Sequence, residues 1–243
     1  MSQVVRVAMW SGPRNISTAM MRAFENRGDT VVVDEPLYAA YLSRTGIDHP
    51  VREAVIASQP TDLATAIAGL SAPLPPGRRV HYAKHMAHHV SRDMDLGWTL
   101  RFRNVLLIRD PAEVVASYVR SRQKCEPEDI GLPQQGWLME LWDSRDVEVP
   151  VLDAREFLGA PEAHLRWLCD WLEVPFTERM LSWPPGPRES DGVWAPHWYD
   201  AVWASTGFQP WRPREAKLSD HDAAVAEACR PIYEALYGRR VRV

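Results

Sequence analysis

Apolar residues along this chain fall in short unbroken runs that end in polar clusters, and the stretches between them carry apolar residues at helical spacing. Residues 4–10 are apolar and β-branched and stop at Ser11-Gly12-Pro13, the pattern of a buried strand running into a loop. Ile16, Met20, Ala23, Phe24 and Arg27 then follow at helical spacing up to Gly28-Asp29, which predicts a helix over 16–27. Residues 30–33 predict a second buried strand ending at Asp34-Glu35-Pro36, and residues 79–83 a third. Residues 105–108 predict a fourth, closed by Arg109-Asp110-Pro111, with a helix over 111–123 that Asp110 is placed to cap. A fifth strand over 149–152 and an amphipathic helix over 162–172 follow. Residues 183–211 break the pattern with five prolines and five tryptophans. A last helix is predicted over 220–237, kinked at Pro231, with residues 239–243 expected to fray.

This order predicts an α/β fold: three layers, αβα, around a central parallel sheet covered on both faces. Ligands of such sheets bind at the carboxyl ends of the strands. The polar clusters at 11–18, Asp34-Glu35, 84–89 and Arg109 all follow apolar runs and would converge on that edge. Four clusters on one edge predict a site.

Composition narrows the picture. With 243 residues, 46% of them apolar, the chain can close around one core, so a single domain over 1–243 is expected. A net charge of −4 argues against a nucleic-acid partner, because neutralising phosphates along a duplex demands a surplus of Lys and Arg. Cys125, Cys169 and Cys229 show no paired spacing, which disfavours a disulfide scaffold or a thiolate zinc site. No apolar run approaches the ~20 residues of a membrane span, and the start lacks a signal-peptide pattern, so a soluble, cytoplasmic protein is expected.

The loop at 11–18 joins a strand to a helix whose first N–H groups and positive dipole end suit an anion. It is not the loop of Mg-ATP enzymes, since Ser17, Thr18 and Ala19 stand where glycine, lysine and a hydroxyl are required. Pro13-Arg14-Asn15-Ile16-Ser17-Thr18 resembles instead the 5′-phosphosulfate loop of sulfotransferases that use 3′-phosphoadenosine-5′-phosphosulfate (PAPS), with Arg14 in place of the usual Lys and Ile16 in place of the usual Gly. Residues 105–117 resemble the family's 3′-phosphate element, a strand ending in Arg-Asp-Pro with a serine eight residues after the Arg, here Arg109 and Ser117. An Arg at a strand end can fork onto a phosphate while a hydroxyl on the next helix approaches from another side. Asp34-Glu35-Pro36-Leu37-Tyr38 and Lys84-His85-Met86-Ala87-His88-His89 are similar to motifs of a bacterial and plant group of sulfotransferase-like proteins, some of which carry an aminotransferase label. Nothing in the residues supports pyridoxal chemistry.

The resemblance implies a P-loop NTPase-like sulfotransferase fold. It implies PAPS as co-substrate, with the product 3′-phosphoadenosine-5′-phosphate (PAP), and no metal. Gly12, Pro13, Arg14, Asn15, Ile16, Ser17, Thr18, Arg109 and Ser117 would hold the nucleotide. Arg14 and Lys84 would act on the transferring group, and Glu35 or His88 would take the acceptor's proton. His85, His88 and His89 would share one face if this segment were helical, a possible metal site with no completing carboxylate or Cys. The 183–211 segment suits an aromatic cover over a small-molecule acceptor, or plain packing against the sheet. The family's C-terminal Arg-Lys-Gly element is absent, and Ser205-Thr206-Gly207 or Arg212, with Arg214 and Lys217 nearby, would have to substitute. A Mg-ATP kinase, with Asp110 holding the metal, and a non-catalytic nucleotide-binding protein on the same fold remain as alternatives.

Overall fold

The computed structural model describes residues 4–122, 124–213 and 217–243. Its strands are β1 (Val5–Ser11), β2 (Thr30–Asp34), β3 (Val80–Met86), β4 (Arg103–Ile108) and β5 (Val151–Asp153). They form one sheet in the order β2-β3-β1-β4-β5, and every pair is parallel. The helices are α1 (Ser17–Glu25), α2 (Tyr38–Thr45), α3 (Arg52–Ser58), α4 (Leu63–Leu70), α5 (Pro111–Tyr118), α6 (Leu132–Asp143), α7 (Ala154–Gly159), α8 (Pro161–Trp171), α9 (Ala195–Trp198), α10 (Asp200–Trp203) and α11 (Asp220–Gly238).

Side chains alternate across the strands, so each face of the sheet has its own core. Val7 and Met9 of β1 pack with α1, α7 and α8, whereas Ala8 and Trp10 pack with α4, α5, α6 and α11. A third cluster joins Tyr38, Ala39 and Leu42 of α2 to Trp194, Ala195 and Tyr199 of the Trp-rich segment. From β1 the chain passes outward to β2, returns through β3, and then crosses to β4 and β5 on the other side. β1 is therefore the point where the winding reverses, and a crevice opens at its carboxyl end.

Several expectations change. β3 continues to Met86, so Lys84 and His85 point to opposite faces and only Ala87–His89 form a single 3-10 turn. His85 leaves the histidine group entirely and stacks on Trp10, its strand neighbour, at 4.2 Å. α5 ends at Tyr118, short of the predicted 123, and Gln123 lies outside the described residues. The C-terminal residues are not frayed: the Val241 N–H donates to the Val151 carbonyl at 2.9 Å, and Arg240 bridges Val151 in parallel. α11 runs through Pro231 as one helix.

Candidate active site

The loop after β1 is set by three local features. Arg14 takes a left-handed backbone (φ 56°), whereas Ile16 sits at φ −89° and needs no glycine. The Asn15 side chain accepts from the Ile16 N–H at 2.8 Å and donates to the Leu107 carbonyl at 3.0 Å, which ties the loop to β4. Gly12 lies against the Ile130 carbonyl, and a Cβ there would come within 2.1 Å of that oxygen. Gly12 thus fixes the loop from behind, while Pro13 through Ala19 face a cavity. Among the described residues no side chain caps α1, so its first-turn N–H groups point unclaimed toward that cavity.

Arg109, at the end of β4, meets this loop. Its Nη1 donates to the Arg14 carbonyl at 2.7 Å, and its Nε and Nη2 donate to Glu113 at 2.9 and 2.8 Å. The Arg14 Nε donates in turn to Ser117 Oγ at 3.0 Å. Burial, and then the like charges of Arg120 and Arg109, push the Arg14 guanidinium below its usual pKa, the mark of cations crowded where an anion would relieve them. Asp110 is fully engaged: one oxygen caps α5 through the Ala112 and Glu113 N–H groups, and the other accepts from Arg230 at 2.7 Å.

On the far side of β1, the ends of β2 and β3 build a buried polar knot. Lys84 Nζ donates to Asp34 at 2.7 Å, to Glu35 at 2.9 Å and to the Tyr199 hydroxyl at 2.5 Å. Tyr199 donates onward to Asp34 at 2.7 Å, and the Gly192 N–H reaches the same oxygen at 3.2 Å. The two carboxylates hold Lys84 well above its usual pKa despite its burial. Burial raises the Glu35 pKa, Lys84 opposes that, and the nearby Asp34 charge adds to it. Glu35 also carries a left-handed backbone (φ 43°), a strained conformation of the kind that concentrates at functional sites. His89 Nε2 stands 3.8 Å from Glu35, and His88 faces the same space with its Nδ1 buried and unpartnered among the described residues. Burial, then His49 and Arg122, lower the His88 pKa to about 3, so its imidazole is neutral.

Both groups line one cavity of about 680 Å³, which holds Arg14, Glu35, Lys84, His88, Arg109 and Ser117 together. The structure places His85 outside it, in the core against Trp10. The Trp-rich segment forms part of the wall: Trp194, Trp198, Tyr199, Ser205, Gly207, Phe208, Trp211 and Arg212 line the cavity, and Thr206 does not. Arg214 lies outside the described residues. Asp191 locks this segment onto α1 by accepting from Arg22 at 2.5 Å, from Trp203 at 2.9 Å and from the Arg188 N–H at 2.9 Å. Sequence patterns did not single out His49, Arg122 or Tyr199 as site residues, and Tyr38 entered only as the last residue of the Asp34-Glu35-Pro36-Leu37-Tyr38 motif. For Tyr199 the only hint was the aromatic density around it, and for Arg122 there was none.

Comparison with known proteins adds family membership. A family model described as "Sulfotransferase domain" matches residues 5–240. Two Arabidopsis thaliana proteins, named branched-chain-amino-acid aminotransferase-like protein 1 and 2, are 36% identical over 239 residues and 34% identical over 236 residues. Each match takes in 93% of this chain but 40% of the relative, so the chain spans well under half the length of the curated proteins it matches. The sulfotransferase domain of the Synechococcus PCC 7002 olefin synthase superposes with a TM-score of 0.53 at 16% identity, over 94% of this chain and 95% of that one. A sulfotransferase from Alicyclobacillus acidocaldarius superposes with a TM-score of 0.54 at 13% identity, over 98% and 97%. These two likenesses are of fold.

Proposed function

Because the chain belongs to the sulfotransferase domain family, we propose that it is an enzyme that moves a sulfuryl group from PAPS to a hydroxyl or amine of a small-molecule acceptor, releasing PAP. The observation that carries this reading is the single cavity in which the loop after β1 and the Arg109–Ser117 pair touch, with the Glu35–Lys84 knot beside them. Those two elements are the ones whose spacing matches the 5′-phosphosulfate and 3′-phosphate signatures, and one nucleotide can reach both.

In this reading the α1 N-terminus, with the backbone of residues 13–16 and the hydroxyls of Ser17 and Thr18, cradles the 5′ end. Arg109 and Ser117 grip the 3′-phosphate. Glu35 takes the proton from the acceptor as its oxygen or nitrogen forms the new bond to sulfur. The bond from sulfur to the bridging oxygen breaks, and its electron pair stays with the phosphate of PAP. Arg14 and Lys84 meet the charge that builds on that oxygen, and Lys84 is free to turn toward it as Glu35 becomes neutral and its hold on the ammonium weakens. Neutral His88, packed on His89 beside Glu35, orients the acceptor. Ser205, Gly207 and Arg212 line the same cavity and are the candidates to replace the missing Arg-Lys-Gly element.

A Mg-ATP kinase fits less well, because Ser17, Thr18 and Ala19 stand where its loop requires glycine, lysine and a hydroxyl. Calorimetry with PAP and with Mg-ATP side by side tests the reading. Saturable PAP binding, weakened at least about tenfold in Arg109→Ala, is expected. Binding of Mg-ATP in preference to PAP, or unchanged PAP affinity in that variant, refutes it.

A further inference from the structure

Just past the end of α5 the cavity holds a further cation, Arg122. Arg122 follows α5, lines the cavity, and holds its guanidinium 5.6 Å from the centre of the Trp198 ring. Of the cavity's arginines, Arg109 has a carboxylate partner and Arg14 bonds Ser117, whereas Arg122 has neither an ion pair nor a side-chain hydrogen bond among the described residues; Arg212 has none either, but it follows Trp211, which donates to Glu113 beside Arg109. The surrounding side chains connect it to the proposed base. Trp198 lies 5.9 Å from His49, and His49 shares a 2.6 Å hydrogen bond with the Tyr38 hydroxyl. Tyr38 stacks at 4.7 Å on His89, which is 3.8 Å from Glu35. An aromatic wall thus runs from Glu35 at one end to Arg122 at the other. Arg14 and Arg109 are engaged elsewhere: the Arg14 Nε donates to Ser117 and the Arg109 Nη1 to the Arg14 carbonyl.

We propose that the acceptor carries a carboxylate at the end remote from its attacking hydroxyl or amine, and that Arg122 is the residue that selects it. The inference rests on the sulfuryl-transfer reading and goes beyond it in naming the acceptor class. A guanidinium held over an indole face presents a planar fork that matches a carboxylate, and its aromatic support limits the freedom lost on binding. The rest of the wall is uncharged. His49 is pushed down to about 4 and His88 to about 3, by burial first and by Arg122 among the other causes, so neither imidazole competes for an anion near neutral pH. A neutral acceptor packs against the same rings and leaves Arg122 without a partner. An anionic one neutralises it while its flat or aliphatic body covers Tyr38 and Trp198.

The test uses the PAP-saturated protein and matched pairs of ligands that differ only in charge: p-hydroxyphenylacetate with its amide, and ω-hydroxyalkanoates of increasing length with theirs. At least one carboxylate is expected to bind about tenfold to a hundredfold more tightly than its amide. Arg122→Gln should erase that preference while PAP still binds, and Arg122→Lys should restore part of it. The inference fails if every pair binds alike or not at all, or if the preference survives Arg122→Gln. It fails too if that variant loses PAP affinity, since Arg122 would then serve the nucleotide. Absence of PAP binding in the unaltered protein removes the sulfuryl-transfer reading itself, and the inference with it, whereas PAP binding without charge preference removes the inference alone.

Discussion

At the scale of single residues, Glu35 combines a left-handed backbone, a raised pKa and a hydrogen bond to a fully buried ammonium. A base works only when deprotonated, so kcat should climb with pH as Glu35 passes through its raised pKa. Glu35→Gln keeps the shape, accepts no proton, and should lower kcat by ~10²–10⁴-fold. Steady-state rates across pH would then lose their acid limb, and an unaltered limb would move the role to His88. Lys84 is the counterpart. Lys84→Met leaves Asp34 and Glu35 buried without their cation, and a loss of ~3–5 kcal/mol is expected on denaturant titration at neutral pH. Acid should recover part of it by protonating the carboxylates. That Arg14, Glu35, Lys84 and Arg109 share one cavity was legible in the sequence because each stands at or just past the end of an apolar run, where a parallel sheet must present it; Ser117, inside α5, was marked only by its eight-residue spacing from Arg109. Tyr199 was not, because its partner Lys84 lies 115 residues away and no local pattern records such a pairing.

At the scale of elements, what failed to show in the sequence had physical causes. α6 buries Gln134 and Gln135 along with Leu138 and Trp142, so its apolar stripe is interrupted where the polar residues are doing structural work. Gln135 donates to the carbonyls of Trp10 and Leu107 at 3.0 and 3.1 Å and so pins the ends of β1 and β4 together under the loop. β3 read short because Lys84 and His85 interrupt its apolar run, although every residue in it is buried. The packing of the first loop on the Ile130 turn is equally tight. Gly12→Ala forces a methyl onto the Ile130 carbonyl at a distance no Cβ tolerates, and a loss of ~1–3 kcal/mol is expected. Thermal unfolding with and without PAP checks both parts of that expectation, since displacing the loop should also reduce the stabilisation that PAP confers.

At the scale of the whole molecule, buried imidazoles make the fold sensitive to acid. His81 is held at about 4, and His85 and His88 at about 3, with burial the largest cause in each. Because these folded-state values lie below the unfolded value near 6.5, the unfolded chain binds the extra protons. Stability from this source is complete above about pH 6.5 and drains away as pH falls from there toward 3 to 4. His85 makes the cleanest test, since neither ring nitrogen has a hydrogen-bond partner among the described residues and the ring packs against Trp10 and Trp98. His85→Phe should leave stability at pH 7.5 intact or improved and flatten its decline on acidification. A decline as steep as before would shift the cause to other groups.

The Trp-rich segment forms part of the cavity wall, and its Tyr199 is also one of the three groups that hold Lys84. Wall and chemistry therefore share a fastener. Any fluctuation that peels residues 191–203 away from α1 takes one of its three partners from the ammonium at the same moment that it admits water, so in the proposed reading a local opening impairs the chemistry before the sheet is threatened. Turnover should in consequence be the most fragile property of this molecule, failing at denaturant levels that leave its secondary structure untouched.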